Sequence, residues 1–140
     1  MPRKSRLAVL AAALLATTAP SAHAAATEQL DTSSWANVNI CNAQQLGARA
    51  QLAGDGSQDV LRVRFTAEWL SPEGWVPLAG EATSPWQEAG SAEFTWAQTG
   101  WTFNITVPPG ATYQLRAVAE MDLGSGEAAT QTTGSCAVAG

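Results

Sequence analysis

Between residues 60 and 70, apolar and polar side chains alternate without a break. Leu61, Val63, Phe65, Ala67 and Trp69 fall on one side, and Arg62, Arg64, Thr66 and Glu68 on the other. A period of two marks a strand with one face buried. Residues 113–123 repeat the pattern. Tyr113, Leu115, Ala117, Ala119, Met121 and Leu123 face inward, and Gln114, Arg116, Glu120 and Asp122 outward, with Val118 the one apolar residue on the polar side. Trp101, Phe103, Ile105 and Val107 make a third run, stopped by Pro108-Pro109-Gly110, which cannot continue a hydrogen-bonded ladder.

Weaker strands fill the gaps. Val38 and Ile40 precede Cys41, and Leu46, Ala48, Ala50 and Leu52 alternate before the turn Gly54-Asp55-Gly56. A strand over residues 75–78 contains Pro77, which confines it to a sheet edge. Phe94 and Trp96 precede a turn expected at Gln98-Thr99-Gly100, and residues 127–133 supply the last strand. Residues 80–90 follow no period and read as an exposed loop. No segment has the spacing of a long amphipathic helix. Seven or eight short strands separated by frequent turn signals predict an all-β fold, an antiparallel two-sheet sandwich.

The segment Tyr113-Gln114-Leu115-Arg116-Ala117-Val118-Ala119 resembles the sixth strand of an immunoglobulin-like or fibronectin type III sandwich. Such strands often begin with a tyrosine whose hydroxyl ties down the preceding corner, here Pro108-Pro109-Gly110-Ala111. The chain after its leader also resembles small exported proteins of GC-rich Gram-positive bacteria that have no assigned activity. That likeness rests on a cysteine after the first strand, a cysteine near the end and the tyrosine-led strand. The resemblance implies an immunoglobulin-like fold and carries no activity. Cys41 and Cys136 do not sit on the second and sixth strands, so their bond is expected to tie the first strand region to the tail. The inter-sheet bridge of antibody domains is then missing.

If the two clearest strands are antiparallel neighbours, the register in which residue numbers add to 184 is favoured. It sets Arg62 opposite Asp122, Arg64 opposite Glu120 and Arg116 opposite Glu68. On the inner face it sets Phe65 against Ala119 and Trp69 against Leu115. Cross-strand pairs of this kind contribute roughly 0.2–1 kcal/mol each.

The N-terminus changes the reading of charge. Arg3, Lys4 and Arg6 precede an apolar run over residues 7–16, and Ala22-His23-Ala24 offers small residues at the two positions a signal peptidase reads. Residues 1–24 are therefore expected to be a cleaved signal peptide, its apolar run too short to span a bilayer. Residues 25–140 then form a single domain with no membrane insertion, secreted from the cell. They keep four arginines against twelve carboxylates, a formal charge of −8, with no lysine. That balance argues against nucleic acid as a partner. Arginine without lysine, together with abundant alanine, suggests a GC-rich bacterial gene. Cys41 and Cys136 form an even pair in an oxidising compartment and read as a disulfide.

Candidate chemistry is narrow. The one histidine, His23, lies in the leader. Without histidine, lysine or a free thiol, the domain cannot build a Ser-His or Cys-His nucleophile, a Schiff base or a histidine- or cysteine-based zinc site. Its carboxylates are scattered over polar faces and turns, so the chain is expected not to be an enzyme and to need no cofactor. Two loops carry a possible calcium site: Asp55 and Asp59 in one, Asp122 and Glu127 in the other. The register above brings them to one end, where carboxylate oxygens suit a hard cation. Of six tryptophans, Trp69, Trp96 and Trp101 fall on apolar faces and are expected in the core. Trp75 and Trp86 lie beside glycine or proline and are the candidate binding pair. The function expected is a non-catalytic binding or adhesion module whose partner is a protein or a glycan. The alternative is a structural or inhibitor-like domain that engages a protein through its loops.

Overall fold

A computed structural model of the protein describes residues 34–140, and the leader expected over residues 1–24 lies outside them. Nine strands follow along the described chain, with no helix among them. These are β1 (Trp35–Cys41), β2 (Gln45–Ala53), β3 (Val60–Ser71), β4 (Gly74–Pro77), β5 (Gln87–Ser91), β6 (Trp96–Asn104), β7 (Thr112–Gly124), β8 (Glu127–Thr132) and β9 (Cys136–Ala139). They make two antiparallel sheets. The smaller has the order β1-β2-β6, and the larger runs β4-β3-β7-β8, with β5 also paired to β3 and β9 also to β7.

The strand count exceeds the seven or eight expected, for local reasons. Part of the segment that follows no period pairs with β3 as β5, and the tail adds β9. In the other direction, the turn expected at residues 98–100 does not exist. β6 runs straight through it, paired with β2 from Gln45↔Asn104 to Ala53↔Trp96. Gly100 is there because the sheet is tight. A Cβ at that position would lie 2.8 Å from the Ala48 carbonyl oxygen and 3.1 Å from Arg49 Cγ. A glycine inside a strand often marks such a close approach.

β3 and β7 pair in the register that opposite charges favoured, from Arg62↔Asp122 to Trp69↔Leu115. The buried faces of both sheets then share one cluster. Leu46, Ala48, Ala50 and Leu52 come from β2, and Leu61, Val63, Phe65 and Ala67 from β3. Phe65 opposite Ala119, and Ala67 opposite Ala117, set one large, fully buried ring among small neighbours.

Cys41 and Cys136 form the disulfide. Cys41 lies opposite Leu46 and Cys136 opposite Leu115, two fully buried leucines, so both sulfur atoms point between the sheets. Because β1 and β9 belong to different sheets, the bond is an inter-sheet link after all. What differs from the antibody pattern is its place at the margin of the core.

Candidate binding cleft

One end of the inner face is not filled. Trp69 near the end of β3, Tyr113 at the start of β7 and Trp101 in β6 all point inward, and all three remain partly exposed. Trp69 and Tyr113 are brought together by the register, since Tyr113 stands two residues before Leu115, the partner of Trp69. Their rings stack at 4.9 Å between centroids with 26° between planes. Leu78, after β4, and Ile105 and Val107, after β6, extend the walls. Together they line a cleft of about 560 Å³ between the two sheets, rimmed by Glu81, Thr102, Asn104 and Thr106. Aromatic and apolar walls alternate with a substantial polar rim, and the volume falls in the range of ligand pockets.

Tyr113 departs from its expected role. Its ring is only half-buried, and its hydroxyl makes no hydrogen bond among the described residues. The corner over residues 108–111 is held by backbone instead, with Ala111 N–H donating to Pro108 at 3.1 Å and Gly140 N–H to Ala111 at 2.9 Å. The phenol is left facing the cleft region as a donor and acceptor.

The expected binding pair lies elsewhere, on the outer face of the larger sheet. Trp75 covers the Arg116 guanidinium at 4.2 Å from its ring centroid, and Arg116 Nε donates to Glu68 Oε2 at 2.6 Å. Trp86 covers Arg64 at 4.8 Å, and Arg64 Nε donates to Glu120 Oε2 at 2.6 Å. The same arrangement of indole, guanidinium and carboxylate thus occurs twice, with Thr66 between the two along β3. The Glu120 hydrogen bond also holds the Arg64 pKa above its ordinary value. Each indole has a cation against one face, and Trp86 remains 44% exposed.

Trp96, expected in the core, is 52% exposed. Its neighbour Ala97 pairs with inward-facing Leu52, which turns Trp96 outward. A turn at residues 98–100 would have reset that parity, and the unbroken strand does not.

The two acidic loops meet, as the register required, and Ser125 Oγ donates to Asp59 Oδ2 at 2.7 Å. Their carboxylates do not converge. Asp55 accepts from the Ser57 N–H at 2.9 Å, Asp122 from the Gly124 N–H at 3.0 Å, and Glu127 is exposed on β8. Asp55 and Asp122 are turned onto local hydrogen bonds, as turn aspartates commonly are, while Asp59 is held by Ser125 of the other loop. Among the described residues, no three acidic, histidine or cysteine side chains stand close enough to hold a metal ion. The salt bridge expected between Arg62 and Asp122 is also replaced. They are cross-strand neighbours, but Arg62 reaches Glu88 on β5 at 3.6 Å.

The cleft residues were legible in part. Trp69, Trp101 and Tyr113 were each assigned to an inward face. The missed signal was their accumulation at one end of adjacent strands, beside a centre rich in alanine. A core that is thin in the middle cannot close over three large rings at its margin. In comparisons with known proteins, no protein-family model matches the chain, and no curated protein matches it.

Proposed function

We propose that the chain is an exported, non-catalytic binding module built on an immunoglobulin-like sandwich, which receives its ligand in the cleft of Trp69, Trp101 and Tyr113. The observation carrying this reading is that three inward-facing aromatic rings stay partly exposed around a cleft of about 560 Å³. Leaving large apolar faces wet costs free energy, roughly 25 cal/mol per Å² that burial would recover, so an occupant gains what the fold leaves unused. Support for the immunoglobulin-like architecture comes from strand order. The first two strands share a sheet with a later one, while the third pairs with the long tyrosine-led strand, which pairs in turn with the hairpin strand that follows it. The disulfide fits a protein that matures in an oxidising compartment.

The test is tryptophan fluorescence of the oxidised domain, titrated with neutral oligosaccharides and with N-acetylated aromatic amino-acid amides. A saturable shift that disappears in Trp101→Ala supports the cleft. A shift that survives Trp101→Ala but vanishes in Trp75→Ala and Trp86→Ala moves the site to the outer face of the larger sheet. No shift with either panel overturns the reading.

A further inference from the structure

The free edge of β6 runs beside the cleft. Among the described residues β6 pairs with β2 and with no other strand, which leaves its other edge open there. Natural sheets guard such edges with charges, proline, bulges or short strands. β6 has none of these. It is nine residues long, contains no charged residue and no proline, and keeps one continuous register along its length. The other edge of the same sheet, β1, is broken by a register shift between Val38 and Ile40.

Hydrogen-bond parity fixes which groups the edge presents. Ile105 N–H donates to Gln44 O at 2.9 Å, and Gly54 N–H to Thr95 O at 3.0 Å. Odd-numbered residues therefore bond toward β2. The antiparallel alternation turns the N–H and C=O groups of Gly100, Thr102 and Asn104 to the open side. The cleft is lined on this side by the unbroken run 101–108, so whatever pairs with the edge lies across the cleft mouth. Side chains of Trp101 and Phe103 point inward from that edge. Alternate side chains of an added strand would do the same, entering opposite Trp69.

We infer that the β6 edge takes an extended peptide segment of a partner protein by strand addition, with its inward apolar side chains filling the cleft. The inference rests on the binding-module reading above and names its ligand class. Backbone groups repeating at strand spacing can be paired in succession only by another extended backbone; a glycan has no such series. Charge selects among peptides. Glu81 is the one charged residue lining the cleft, and residues 25–140 carry a formal charge of −8. A segment bearing lysine or arginine beside its apolar residues fits, whereas a second copy of this chain brings the same negative charge to the contact.

The experiment pans a displayed library of random short peptides against the oxidised domain, then remakes enriched peptides with backbone N-methyl groups on one or the other alternate set of amides. Strand addition uses every second amide, so one methylated set loses binding and the other keeps it. Thr102→Pro, which removes an edge-facing N–H and leaves the β2 ladder intact, weakens binding about tenfold or more, the effect of one or two lost backbone hydrogen bonds. Peptides indifferent to both methylation patterns, or the absence of any enriched peptide, overturn the inference; the peptide variants leave the protein untouched, so misfolding cannot imitate either result. Binding lost in Trp101→Ala but unchanged by methylation keeps the cleft and removes the edge. Binding sensitive to methylation but unchanged in Trp69→Ala and Trp101→Ala keeps the edge and removes the cleft. Dimers in sedimentation that dissociate in Thr102→Pro assign the edge to a second copy and overturn the peptide reading.

Discussion

Four arginines serve this domain in different ways, and their surroundings decide their worth. The Arg116 and Glu68 side chains are 25% and 15% exposed and joined at 2.6 Å, beneath Trp75. Arg62 and Glu88 are 42% and 70% exposed and 3.6 Å apart. A hydrogen bond to a charged group with little solvent around it contributes roughly 1.5–3 kcal/mol, whereas an exposed pair contributes about 0–1 kcal/mol. Glu68→Ala is therefore expected to lower stability by about 1.5–3 kcal/mol, and Glu88→Ala by no more than about 0.5 kcal/mol, in urea unfolding. Asp55 gives a pH prediction. The side chain and backbone N–H of Ser57 hydrogen-bond its carboxylate and hold its pKa below the ordinary 3.8. A folded value below the unfolded one makes the contribution to stability complete above the unfolded pKa; it fades as pH falls through the folded one. Carbon-detected NMR titration should show Asp55 protonating at lower pH than in Ser57→Ala, where its value returns toward 3.8. At this scale the charges that set the β3–β7 register were legible, because opposite signs at alternate positions admit few alignments. The cover that Trp75 and Trp86 give two guanidiniums was not legible. It depends on where an indole from another strand or loop lies across the sheet, which no local period encodes.

Strand boundaries were read well wherever alternation was strict, and poorly where glycine stood inside a strand. Gly100 looked like the end of an element and is a point of close contact within one. The opposite error is possible in turns, and Gly54 and Gly56 separate the two causes. A Cβ on Gly54 would fall 1.8 Å from the Phe94 carbonyl oxygen and 2.5 Å from that of Ala92, both backbone atoms that cannot swing aside. Gly56 has open space around it and needs glycine only for its φ of +85°. Gly56→Ala is expected to cost about 1–2 kcal/mol, the usual penalty of a left-handed alanine. Gly54→Ala should cost clearly more, at the level of the rare substitutions above about 4 kcal/mol, because the loop into β6 must move. Thermal unfolding of the two variants measures the difference. A similar cost for both would mean that the 92–95 corner yields easily.

Across the whole molecule, the all-β class, the two sheets and the disulfide were all visible in advance, because a period of two and an even cysteine pair are strong signals. The marginal opening between the sheets was not visible. It reflects how much volume the alanine-rich centre fails to supply, a property of the assembled core. The disulfide closes a loop with a sequence separation of 95, for which chain-entropy arguments give about 4–5 kcal/mol. The double variant Cys41→Ser/Cys136→Ser should lose up to that amount in guanidinium unfolding, a large part of the roughly 5–15 kcal/mol that holds a domain of this size together. The same bond has a mechanical meaning. Tension applied to the chain before Cys41 and after Cys136 passes directly through the sulfur bridge and never reaches β2 to β8. Only β1 and β9 can peel, and the roughly 310–340 Å that the enclosed segment would span when stretched stays out of reach. The β6 edge and the aromatic cleft both lie within that sheltered segment, so their geometry holds while the ends of the chain are pulled.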